Sequence, residues 1–167
     1  MSHTQSVVAF TVSNADGSSI LNQDRVRWAT QHSGRGFGPI VKYSWSVEGV
    51  EFSAPANLLK CNWNLLPDAS GFITFESTSD PNNCALLDAY GREKIRLTVP
   101  WQLTIAKNPA SNAHPTHFVG ISGPYVNPLD GTPGQFGVEA WVEFGGEYYF
   151  ELDWRTGNFL WGKEIRV

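Results

Sequence analysis

Charge is what this chain has least of. Asp, Glu, Lys and Arg make up only 17% of its 167 residues, and the formal net charge is -4. The basic residues form no long run, so the electrostatic footprint of a nucleic-acid binder is missing and neither DNA nor RNA is expected as a partner. Cysteine is nearly absent. Cys61 and Cys84 cannot build a disulfide framework, and two reduced thiols are the expectation. No apolar stretch approaches the roughly 20 residues that span a bilayer, so no transmembrane segment is expected. The start, Met1-Ser2-His3-Thr4-Gln5-Ser6, lacks a positively charged region followed by an apolar run. That pattern fits a cytoplasmic protein, or a secreted one whose signal has been removed.

Catalytic signatures are missing as well. The chain has no G-x-S-x-G elbow, catalytic-cysteine motif, Walker loop or dinucleotide fingerprint, and no cofactor is expected. The loop Gln31-His32-Ser33-Gly34-Arg35-Gly36-Phe37-Gly38-Pro39 has glycines but no following lysine, so it reads as a connection rather than a phosphate cradle. His114 and His117 stand in an H-x-x-H spacing interrupted by Pro115. Convergent ligands on one element need i, i+4 on a helix or i, i+2 on a strand, and no companion Cys or His completes a set, so no metal is expected.

What the chain has is aromatic residues and alternation. Rings make up 13% of the residues, with seven Trp, and they recur through nearly every candidate strand. Period-2 patterning predicts about ten short strands, the mark of an all-β sandwich or a closed β-barrel in a single domain over residues 1–167. Strands are expected over 7–13, 25–30, 42–47, 50–54, 61–65, 71–77, 94–106, 116–122, 138–144, 148–154 and 159–164. A short helical turn is expected between Asp80 and Ala89. Pro100 cannot donate to a ladder and marks an edge or a bulge. Residues 123–137 make a long Pro/Gly-rich loop of a kind that is often functional.

Two hairpins can be read in detail. A Glu48-Gly49 turn sets Val47 opposite Val50, Trp45 opposite Phe52 and Tyr43 opposite Ala54. At Gly145-Gly146 the hydrophobic pattern selects a three-residue bulged loop over a two-residue one, because a slip of one residue exchanges the faces of a strand. Tyr148, Phe150, Leu152 and Trp154 then join Val138, Ala140, Val142 and Phe144 in the core, followed by Phe159 and Trp161. The opposite face carries Glu139, Trp141, Glu143, Tyr149, Glu151 and Asp153. In this register Trp141 faces Glu151, Glu143 faces Tyr149, and Glu139 faces Asp153, a like-charge pair that needs a reason.

That face is the candidate site. Pyranose rings stack C–H patches on Trp or Tyr while their hydroxyls bond to carboxylates and amides. Trp141 and Tyr149 with Glu139, Glu143, Glu151 and Asp153 therefore suggest a non-catalytic, lectin-like carbohydrate-binding domain. Asn62, Asn64, Tyr125, Asn127 and Asp130 offer similar mixed chemistry. The main alternative is a β-barrel isomerase or cyclase with an aromatic-lined pocket and a carboxylate acid/base. A third reading is a structural or toxin-like interaction module whose exposed aromatics meet protein or membrane. The expected partners are a glycan or small molecule, and a homo-oligomer is compatible with the sequence.

Overall fold

A computed structural model describes residues 5–32, 36–57, 60–104, 116–142 and 146–166. The fold is all-β: twelve described strands form three antiparallel sheets of four, and none of these sheets closes into a barrel. The described residues group into two compact units, one of residues 1–74 and 87–92, the other of 75–86 and 93–167.

The first unit holds β1 (Val8–Asn14), β2 (Ser19–Leu21), β3 (Ile40–Val47) and β4 (Val50–Pro55), in the order β2-β1-β3-β4. The β3–β4 hairpin has the expected register, with Val47↔Val50, Trp45↔Phe52 and Tyr43↔Ala54. Its turn residues Glu48 and Gly49 both have positive φ, 51° and 81°, the twist a two-residue hairpin requires. The inner face stacks its rings on β5 (Cys61–Leu65) and the start of β6 (Gly71–Glu76). Trp45 lies 4.9 Å from Phe72 and 5.6 Å from Trp63, and Tyr43 lies 5.5 Å from Trp63. The Trp45 indole N–H donates to the Ala89 carbonyl at 2.8 Å, so even this buried polar atom is satisfied.

The expected strand at 25–30 is instead a helix, α1 (Arg25–Gln31). Its alternation encoded no buried face, since Val26 is 80% exposed. Arg, Ala and Gln favour the helix, and Trp28 stacks on His32 one turn later at 3.8 Å.

The third sheet has the order β5-β6-β7-β8, with β7 (Cys84–Asp88) and β8 (Glu93–Leu97). Strand β7 replaces the helical turn expected there. Cys84, Ala85, Leu86 and Leu87 are all buried, so both faces of the strand are apolar and no alternation announces it. The long run at 94–106 stops as a strand at Leu97. Beyond Pro100, residues Trp101–Leu103 form a 3-10 turn, with Leu103 N–H bonded to the Pro100 carbonyl at 3.0 Å. Residues 105 and 106 lie outside the described residues. Arg96 pairs with Glu76 and Glu93, which accounts for part of the basic strip as a solvated face. Cys61 and Cys84 are not joined in a disulfide.

The second unit holds the sheet β12-β11-β10-β9, formed by β9 (His117–Ser122), β10 (Gly137–Val142), β11 (Gly146–Asp153) and β12 (Asn158–Arg166). Its core face carries Val138, Ala140, Val142, Tyr148, Phe150 and Leu152, all buried as the pattern required. Asn83, itself buried, pairs with both the N–H and the C=O of Phe118 at 2.8 and 2.9 Å, as a neighbouring strand would. The fold thus takes the sandwich branch of the expectation.

Candidate functional site

The β10–β11 pairing decides what the acidic face presents. The observed partners are Val142↔Gly146, Trp141↔Glu147, Ala140↔Tyr148, Glu139↔Tyr149, Val138↔Phe150 and Gly137↔Glu151. Against the expected register, in which Val142 faced Phe150, Phe150 now faces Val138. The slip is even, so every side chain keeps its face while every partner changes. Glu139 no longer faces Asp153, and the like-charge pair disappears; Asp153 stands opposite Asn158 instead. Glu143 and Phe144 lie outside the described residues, as does His114.

Trp161 does not lie on the core face expected for it. Strand β12 pairs Leu152↔Phe159 and Glu151↔Trp161, with a register shift that leaves Leu160 as the extra residue. The bulge returns Phe159 to the core side and turns Trp161 to the face of Glu151, with its ring 5.5 Å from that of Tyr149.

Tyr149 and Glu151 do not stand on a surface. Tyr149 is 0% exposed and Glu151 5%. The Tyr149 hydroxyl donates to Glu151 Oε1 at 2.5 Å, while Oε2 accepts the backbone N–H groups of Gln135 at 2.7 Å and Phe136 at 3.3 Å. Burial first, and then the hydrogen bond to Glu151, push the Tyr149 hydroxyl pKa well above its ordinary value.

What covers the pair is the long Pro/Gly-rich loop, whose glycines are there for contact. A Cβ on Gly137 would lie 2.3 Å from the Tyr149 ring, and one on Gly134 would lie 2.4 Å from Glu151 Oε1. Tyr125 closes over Tyr149 edge-on at 4.9 Å. The loop is itself tied together. Val126 bridges Pro133, Asn127 N–H bonds to the Thr132 carbonyl at 2.8 Å, and Gly134 N–H to that of Tyr125 at 2.8 Å. Asn127 Oδ1 receives the Leu129 N–H at 3.0 Å, and Asp130 Oδ1 receives that of Thr132 at 2.9 Å.

Beside this anchored loop lies a cavity of about 290 Å³, lined by residues that include Gln135, Glu151, Asp153, Trp154, Leu160 and Trp161. The Trp154 indole N–H is buried without a partner, and Arg155 sits 4.4 Å over the Trp154 ring. The cavity therefore offers the Asp153 carboxylate and aromatic walls, while both Glu151 oxygens are already engaged. Of the expected site residues, Glu151 and Asp153 line it. Trp141 and Glu139 sit elsewhere on the sheet, where Trp141 faces His117 and Glu147. Burial foremost, then the nearby Glu147, raise the Glu139 pKa. Asn62 and Asn64 belong to the first unit, on β5. The periodicity of β12 concealed Trp161, because a bulge leaves no mark in alternation; Gly157 and Gly162 around it were the available hint.

No protein-family model and no curated protein sequence matches the chain. Among solved structures, a chain in the structure of Tne2 in complex with Tni2 is similar over 96% of this chain and 99% of that one, at 16% sequence identity and a TM-score of 0.65. The likeness is one of fold.

Proposed function

We propose that this chain is a non-catalytic binding domain that acts by docking onto a second protein. One observation carries the reading: Glu151, itself held by the Tyr149 hydroxyl, fixes the backbone of Gln135 and Phe136. The pair richest in potential chemistry thus fixes a long surface loop. Loops held on a rigid scaffold are common recognition elements. The similar fold found in the Tne2–Tni2 complex supports the reading, since a fold of this kind takes part there in an assembly.

The test is affinity capture of the tagged chain from the cells that produce it, followed by calorimetry with the purified captured protein. The expected result is 1:1 binding, with Kd at or below about 1 μM and a negative heat-capacity change from apolar burial. The reading fails if no protein co-purifies stoichiometrically, or if the captured protein binds the heat-unfolded chain equally well.

A second reading, carbohydrate binding, is favoured by the 290 Å³ cavity. A sugar ring stacked on Trp161 could give hydroxyl protons to Asp153. A glycan array with wild type, Trp161→Ala and Trp141→Ala tests it. Binding should vanish in Trp161→Ala; no binding at all, or indifference to both substitutions, sinks it.

A further inference from the structure

The anchored loop carries an unusual tip. Leu129 is 90% exposed, more than any other large hydrophobic side chain described, and Val126 on the same loop is 49% exposed. Solvent exposure of a leucine is commonplace on a mobile segment. Here the backbone on both sides is fixed. Leu129 N–H is capped by Asn127, Gly131 N–H bonds to the Asn127 carbonyl at 2.9 Å, and Thr132 N–H is capped by Asp130. Gly131, at φ 77°, supplies the left-handed residue the turn needs. At its base the loop is locked to Glu151 and Tyr149. A side chain presented on such a frame loses little freedom on binding, which is how preorganised recognition elements gain affinity.

Asp130, the next residue, is fully exposed, and its bonds from the backbone and side chain of Thr132 hold its carboxyl below the ordinary carboxylate range. The tip is thus an apolar knob with a fixed negative charge beside it. That charge is repelled by anionic lipid, so a membrane surface suits it poorly. An apolar recess with lysine or arginine at its rim complements both features.

We propose that Leu129 is the docking anchor of this domain and that its partner is a protein presenting an apolar socket with a basic rim. The proposal rests on the protein-docking reading above and adds the element that docks and the chemistry it meets. The test installs a photo-crosslinking phenylalanine analogue at position 129 and, separately, at the exposed positions 119 and 160, in cells producing the full chain. Position 129 should capture one protein. Once purified, that protein should bind Leu129→Ser about 10- to 100-fold more weakly, equivalent to about 1.4–2.8 kcal/mol. Asp130→Asn, which keeps the turn's acceptor oxygen, should flatten the salt dependence, and neither substitution should move the unfolding midpoint. Capture from 119 or 160 but not 129 overturns the anchor and leaves the docking reading standing. Capture from none of the three overturns the anchor, and the docking reading is then decided by the affinity capture above. Adducts at 129 with lipid or with a second copy of the chain overturn the proposal in favour of those surfaces, and so does a Leu129→Ser affinity within about twofold of wild type.

Discussion

Tyr149 has the most consequential side chain in the molecule although it meets no solvent. Removing its hydroxyl in Tyr149→Phe leaves one oxygen of a buried carboxyl short of a donor. Urea denaturation should register a loss of about 1–3 kcal/mol. The pH dependence has a definite sign. The folded protein raises this phenol above its ordinary value of 10.0, so the stability it contributes is fully present below pH 10 and declines as pH rises above that value. An alkaline titration of unfolding should therefore show a fall that Tyr149→Phe blunts. Gly137→Ala probes the same contact from the other side. With 2.3 Å between the new Cβ and the ring, ring or strand must shift, and a loss of about 1–3 kcal/mol or more is expected in the same assay.

At the scale of elements, legibility followed the strength of the local signal. The β3–β4 hairpin could be read to the residue because Glu-Gly between alternating rings fixes both turn and register. Glu48 nevertheless sits at φ 51°, which asparagine or glycine adopts more easily. Glu48→Asn should raise the unfolding midpoint, a gain of about 0.4–1 kcal/mol. Failures came where alternation and burial part company. Helix α1 alternates without burying a side, and β7 is buried on both sides without alternating. On β10–β11 the faces of the core residues were legible and their partners were not, since hydropathy is blind to a slip of two residues per strand. The candidate site was half legible for that reason. Glu151 and Asp153 were placed on the right face, but their neighbours Trp161 and Gln135 come through a bulge and a loop.

For the whole molecule, scarce charge and two ring-rich cores set the behaviour. Each unit buries its own aromatic cluster, Phe10, Tyr43, Trp45 and Phe72 in one and Phe118, Tyr148 and Phe150 in the other. With a net charge of -4 and no basic tract, the chain should pass unretained through a duplex-DNA column at about 50 mM salt, where phosphate contacts are strongest. Retention would contradict the exclusion of nucleic acid drawn from composition.

Leu160 has a meaning that no inventory of contacts conveys. It acts as a one-residue frameshift in space: every side chain after it is read out on the opposite face of the strand. Gly162 is held to glycine by the same shift, because a Cβ there would lie 2.9 Å from Phe150. A lineage that deleted residue 160 would lose the bulge without moving its neighbours: Trp161 would follow Phe159 directly and still face Glu151, and Gly162 would still face Phe150, so the cavity wall outlives the residue that now interrupts its strand.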